Sequence, residues 1–177
     1  RAQAPKLEAY RKHALTHEGN ASRGEKLFND EQKLLCAKCH SVDGSAGKAG
    51  PDLIAAGDAF GRRDLVAAVL EPSATIAPGY GAVIVETRKG EAFQGVLKQA
   101  TDAGIQIMGA DGKLVSIAAA DIKEKSGSTI SLMPEGLCAG LTLQEFTDLI
   151  EYLTTLKQPE STLASEHGMP GTIPLLA

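Results

Sequence analysis

Two cysteines and a histidine fall within five residues, Cys36-Ala37-Lys38-Cys39-His40. No other stretch constrains the chain as strongly. Residues three apart on a helical turn face the same way, so the two thiols can meet one edge of a single rigid body. The imidazole of the next residue can then turn beneath that body. Composition sharpens the point: the 177 residues include no Trp, three Tyr and four Phe. Aromatic side chains normally dominate the energetics of a core. Either Leu, Ile, Val and Ala do all the packing, or a body that is not an amino acid fills part of the core.

The remaining composition narrows the function classes. With 43% hydrophobic and 23% charged residues, the chain has ordinary soluble globular composition. A net charge of −4 implies no polyelectrolyte-binding surface, so nucleic acid is not an expected partner. The longest apolar run, Leu65 to Leu70, falls far below the ~20 residues of a membrane helix. The chain starts at Arg1 without an apolar signal core, which predicts a processed chain or a piece of a longer one. Glu135, Glu145, Asp148, Glu151, Glu160 and Glu166 face a single base, Lys157, after Pro134. That acidic end reads as a solvated helix face, or alternatively as a docking surface for a basic partner.

Periodicity divides the chain. Residues 1–19 read as a polar, partly helical lead-in or linker. A helix is predicted from about Ala21 to Asp30, capped by Asn20 or Ser22, with Leu27 and Phe28 inward. After a Gly-rich loop at 43–50, a second helix is predicted over 62–71, ended by Pro72. The period then changes to short Val-, Ile- and Leu-rich runs at 82–88, 92–99, 105–108 and 114–117, with a fifth piece near Ile122. Lys89-Gly90, Asp102-Ala103-Gly104 and Asp111-Gly112 punctuate them, predicting a meander or small barrel at about 82–126. Helical spacing returns with a Thr142/Glu145 capping box and Leu143, Phe146, Leu149, Ile150, Leu153 and Leu156. Residues 158–177 read as a linker or tail. The helical halves on either side of the strands are expected to form one domain over 20–157.

Cys-x-x-Cys-His is the attachment pattern of c-type haem. Cys36 and Cys39 would each bond one vinyl group, and His40 would be the proximal iron ligand. A structural zinc site needs four ligands, and only Cys138 remains, about 100 residues away. A thioredoxin-like pair would want a βαβ context, which the pattern lacks. A proximal His has its second ring nitrogen held by an acceptor; the Pro51 carbonyl in Gly50-Pro51-Asp52-Leu53 is the candidate, with a plain turn as the competing reading. For the distal ligand, Met108 falls in a strand run, Met169 in the tail, and His13 and His17 in the lead-in. Met133, in Ser131-Leu132-Met133-Pro134, is the expected ligand, because a Pro-stiffened loop before a helix can hold a thioether rigidly. His/Met ligation raises the reduction potential and leaves no open iron position, which favours electron transfer over oxygen chemistry. Cys138 is left over; a buried thiol is the expected reading and a Cys138-linked dimer the alternative.

These motifs resemble the class I cytochromes c. Gly24 and Phe28 look like the Gly-x-x-x-Phe/Tyr element that crosses the C-terminal helix, with Tyr152 as its aromatic partner. Cys36 to His40, Pro51 and Met133 match the attachment site, the His-orienting carbonyl and the distal ligand. The departure is the 93 residues between His40 and Met133, which the strands account for. Gly50-Pro51-Asp52-Leu53, Glu71-Pro72-Ser73, Ile76-Ala77-Pro78-Gly79-Tyr80, Ser131 to Leu137 and Leu141-Thr142 are more closely similar to the haem-binding domain of planctomycetes and verrucomicrobia. That domain usually ends large secreted proteins, often behind a β-propeller dehydrogenase-like module.

The resemblance implies a mainly α chain: a class I cytochrome c helical fold with an inserted small antiparallel β-barrel or meander. It implies one covalently attached haem c with its iron, and a periplasmic or otherwise extracytoplasmic location. It implies redox partner proteins such as a dehydrogenase module or a terminal oxidase, and an electron carrier rather than an enzyme in its own right. The alternative function is a haem-based enzyme or gas-sensing domain with a displaceable distal ligand.

Overall fold

The computed structural model describes residues 6–45 and 48–158. The expected tail, with Met169, lies almost wholly outside the described residues. Six helices are described: α1 (Leu7–Thr16), α2 (Ala21–Asn29), α3 (Cys36–Cys39), α4 (Ala56–Ala59), α5 (Arg62–Leu70) and α6 (Leu143–Thr155). Five strands lie between α5 and α6: β1 (Ala82–Thr87), β2 (Ala92–Thr101), β3 (Gly104–Met108), β4 (Leu114–Ala118) and β5 (Ile122–Gly127).

The helical core is organised by the crossing of α2 and α6. Asn20 starts α2, its side chain accepting from the Arg23 amide at 2.9 Å. Thr142 starts α6 with a reciprocal cap: its hydroxyl accepts from the Glu145 amide at 3.1 Å, and the Glu145 carboxylate accepts from the Thr142 amide at 2.7 Å. The crossing is close because Gly24 has no side chain. A Cβ there would lie 2.0 Å from the Asp148 carbonyl oxygen and 2.7 Å from the Tyr152 Cβ. One turn further on, Phe28 meets Tyr152 with ring centroids 5.5 Å apart.

Asp148, buried at the same crossing, is fully partnered. It accepts from the Asn20 amide at 2.7 Å, from Arg23 at 2.6 and 3.0 Å, and from Gln144 at 3.0 Å. A buried charge is tolerable only when paired and hydrogen-bonded in this way. The expected solvated or docking face of α6 is also corrected at its described acids. Glu145 pairs with Lys33 at 2.6 Å and Glu151 with Arg62 at 2.5 Å, so bases from three other parts of the chain engage the helix.

The lead-in is a core helix, not a linker. Tyr10 and Ala14 on α1 are fully buried. The Tyr10 hydroxyl donates to the Leu141 carbonyl at 2.6 Å, and its ring meets Phe146 edge-on at 5.3 Å. Arg62 on α5 donates to the Ala14 carbonyl at 2.7 Å. His13 Nδ1 lies 2.8 Å from the Thr147 hydroxyl, which already donates to Leu143, so the ring nitrogen is the donor.

The strands form one antiparallel sheet in the order β4-β3-β2-β1-β5. Strands β1 to β4 are successive hairpins, with Gly90 and Gly112 supplying the positive φ that their turns require, 83° and 77°. A 3-10 turn of only three residues, Ala119–Asp121, then carries the chain from one edge strand to the other. The sheet must therefore curl, and it closes on a core of its own: Val85, Ile105, Ile107 and Ile117.

Helix accounts for 37% and strand for 21% of the described residues, which overturns the expectation of a mainly α chain. The protein is mixed α and β. The physical reason is length. Two of the six helices have four residues and two have nine, whereas the strands occupy most of 82–127.

Candidate haem site

The site is built on a tight reversal after α2. Asp30 anchors it, its carboxylate accepting from the Gln32 and Lys33 amides at 3.0 and 3.1 Å, and its carbonyl from Leu34 at 3.0 Å. Leu34 drops into the helical core, and Leu35 takes a left-handed conformation at φ 61°. Among the described residues it is the single non-glycine with positive φ. Such a conformation costs a branched residue about 1–2 kcal/mol and persists where the surroundings enforce it. Here it stands immediately before Cys36, at the start of α3. No signal in the sequence marks Leu35, since Gly or Asn would be the usual residue.

Helix α3 is a single turn, closed by the His40 amide donating to the Cys36 carbonyl at 2.9 Å. Cys36 and Cys39 are half-buried free thiols at its two ends. Burial pushes the Cys36 thiol up to about 11, with Cys39 adding to the effect, so the thiol is neutral at pH 7.

His40 is the best-defined group. Its Nδ1 lies 2.8 Å from the Pro51 carbonyl oxygen. A carbonyl only accepts, so Nδ1 carries the proton and Nε2 keeps its lone pair. Burial lowers the His40 pKa, with Lys48 acting in the same direction and Pro51 and Asp52 opposing; the ring is held neutral, the form that binds a metal. The loop is shaped for this contact. A Cβ at Gly50 would lie 2.6 Å from His40 Cε1 and 2.8 Å from Nδ1, so only glycine admits the ring. The Gly50 amide donates to the Cys39 carbonyl at 2.8 Å. Asp52 fastens both ends of the loop through the Gly44 and Ile54 amides at 3.1 and 2.8 Å.

Two lysines that no sequence motif marks are linked to the same turn. Lys48 Nζ donates to the Ala37 and His40 carbonyls at 2.5 and 3.1 Å. Lys98, on β2, donates to the Lys48 carbonyl at 2.6 Å and lies 5.0 Å from the centre of the Tyr80 ring. The β3–β4 turn also reaches the site, with the Ala110 carbonyl 4.0 Å from Cys39 Sγ.

Cys36, Cys39, His40 and Pro51 thus share one hydrogen-bonded turn. Met133 stands outside that network, half-buried on a separate loop. Its amide donates to the Ser131 hydroxyl at 3.1 Å, and the Ser131 amide donates to the Ser73 hydroxyl at 3.2 Å, tying the loop to the turn after α5. Met108 lies in β3, paired with Val96 and Leu114. His13 and His17 stack on each other at 3.9 Å. Cys138 is 2% exposed inside the helical core, where an interchain disulfide would require local opening.

The donor set fits haem c: two thiols on one helical turn, and a neutral imidazole with a fixed tautomer and one free nitrogen. Among the described residues, no group of three or more His, Cys, Asp or Glu is arranged to hold a metal ion without such a partner. No helix among them is long and apolar enough to cross a membrane. Comparison with curated proteins finds no match. Residues 21–106, from the start of α2 into β3, match the family model described as Cytochrome c, which supports a haem-binding, electron-transferring cytochrome and implies a covalently attached haem c with its iron.

Proposed function

We propose that the chain is a monohaem electron-transfer unit of the class I type, with Cys36 and Cys39 forming the thioether bonds, His40 as proximal ligand and Met133 as distal ligand. The observation that carries this reading is the 2.8 Å hydrogen bond from His40 Nδ1 to the Pro51 carbonyl, beside two free thiols on a single turn. Haem c, when bound, supplies a one-electron iron couple. The residues themselves hold and orient. Helix α3 carries both thiols on one turn, Pro51 fixes the imidazole tautomer, and Gly50 admits the ring. Ser73 and Ser131 anchor the loop that carries Met133. None of these roles moves a proton, which suits electron transfer better than catalysis.

The unit is read as α1 through α6, with the strands at about 82–126 inserted between its helices. The runs around Pro51, Tyr80 and Met133 support kinship with the planctomycete and verrucomicrobial haem domain, and hence an extracytoplasmic setting and a redox partner such as a dehydrogenase module. A pyridine haemochrome spectrum and an intact mass test the reading. The expected mass is the polypeptide plus one haem; the bare polypeptide mass refutes it. The ferric protein should show the weak Met–iron charge-transfer band, and Met133→Ala should abolish it. Ready CO binding by the ferrous wild-type protein at neutral pH would remove Met133 from the iron and favour a sensor or enzyme.

A further inference from the structure

The sheet and the Cys36–His40 turn are joined by cations, not by apolar contact alone. Lys98 projects from β2 to the Lys48 carbonyl, and the Lys48 ammonium in turn holds the carbonyls of Ala37 and His40. Both lysines are half-buried. Among the described residues, neither ammonium forms an ion pair with a carboxylate. The nearby acids are engaged elsewhere: Asp43 with Ser45, and Asp52 with the Gly44 and Ile54 amides. The hydrogen bonds of the two lysines go to neutral carbonyls; Asp43 and Asp52 keep their charge nearby and offset part of theirs, but neither carboxylate closes an ion pair with them.

We propose that Lys98 and Lys48 form a strap of two unpaired cations through which the β-sheet holds the Cys36–His40 turn and raises the reduction potential of the haem attached there. This rests on the haem reading above. An oxidised iron site carries one more positive charge than the reduced site, so a fixed cation nearby disfavours oxidation. Half-burial limits screening by salt. The carbonyls that Lys48 holds belong to the attachment turn itself, so the same side chain positions His40. Lys98 is fixed in turn by the Tyr80 ring, a cation–π contact at 5.0 Å. The sheet's role is thereby a tuning one, exerted on the site from the side of Cys39, where the Ala110 carbonyl also approaches.

The test is spectroelectrochemistry on the full haem-loaded chain, comparing wild type with Lys48→Gln, Lys48→Arg, Lys98→Met and Lys98→Arg. Haem content is measured in parallel by pyridine haemochrome. The midpoint potential should fall in Lys48→Gln, and by less in Lys98→Met, which is one link further from the turn. Both arginine variants should stay near wild type, because they keep the charge. Unchanged potentials in Lys48→Gln and Lys98→Met, at one haem per chain, overturn the proposal. So does a fall that is equal in the arginine and neutral variants. If Lys48→Gln takes up no haem, Lys98→Met decides, since it does not touch the attachment turn. If both neutral variants lose haem, retention in the arginine variants supports the strap and loss in them refutes it. A wild-type chain without haem would instead sink the function proposed above.

Discussion

Replacing Gly24 by alanine sets two effects of opposite sign against each other. Helix propensity alone predicts stabilisation of about 1 kcal/mol, because glycine is a poor helix former. The structure predicts the reverse. The new methyl would sit 2.0 Å from the Asp148 carbonyl oxygen and 2.6 Å from its carbon, whereas ordinary contact begins at 3.4 Å. Both obstacles are backbone, so no rotamer change relieves them. Helices α2 and α6 must separate by roughly 1.4 Å. A gap of 0.5–1 Å already forfeits about a quarter to a half of each dispersion contact. The Phe28–Tyr152 contact and the four hydrogen bonds to Asp148 all span this crossing or adjoin it. Overpacking of this kind costs about 1–3 kcal/mol and sometimes more, and here the whole crossing opens. With the cost at the top of that range and about 1 kcal/mol regained in propensity, a net loss of about 2 kcal/mol is expected. Urea unfolding followed by circular dichroism reads it as a midpoint lower by about 1 M, for a slope near 2 kcal/mol/M. Gly140→Ala is the control, since nothing lies within 4 Å of its added methyl; it should shift stability by no more than about 0.5 kcal/mol. A Gly24→Ala protein as stable as wild type, or more so, would refute the close crossing.

Gly50→Ala should reduce haem incorporation strongly, because its methyl would lie under 3 Å from the His40 ring; haem content per chain reads the effect, and normal loading would refute the role assigned to Gly50. Asp148→Asn probes acid stability. Burial alone would raise that carboxyl, but Arg23, Gln144 and the Asn20 amide outweigh it and hold the pKa below the usual range. A group depressed on folding contributes fully above its unfolded value, near ~3.9, and loses that contribution as pH falls through the folded value. The variant should therefore be less stable by about 2 kcal/mol at pH 7, with the gap to wild type closing below about pH 4. Thermal melts across pH check the convergence, and a constant gap would contradict it. Cys138, buried in the helical core, should leave the native protein monomeric on a non-reducing gel; a dimer that vanishes in Cys138→Ser would show that the core opens there.

Local chemistry was the legible part of this chain. Asn20, the Thr142/Glu145 box and the Gly turns fix where helices and hairpins begin, because each acts within four residues of itself. The Cys36–His40 motif is contained in five residues, and the Pro51 carbonyl that meets its imidazole lies only eleven residues beyond His40. What escaped was set by partners distant in sequence. Tyr10 and Ala14 are two inward residues in an otherwise polar stretch, and only α5, α6 and the Leu141 carbonyl give them a core to enter. The acids of α6 looked like an unopposed surface because Lys33, Arg23 and Arg62, which pair with them, lie 89 to 125 residues away. Lys48 and Lys98 read as ordinary solvated lysines until the sheet is placed beside the attachment loop. The mixed class escapes the sequence pattern because its helices, although strongly periodic, are short, whereas the five strands fill most of 82–127.

The crossing of α2 and α6 also dictates an order of assembly. Arg23 and Asp148 are 125 residues apart, and the sheet lies wholly between them. A chain made from its N-terminus completes β5 at Gly127 before the first residue of α6, Leu143, exists. Hairpins close quickly over short loops, whereas contacts across long separations come late. The sheet is therefore the early surface, and α2 waits with its Gly24 and Phe28 face uncovered. Arrival of α6 is then the committing event, a latch that covers this face and closes the helical core.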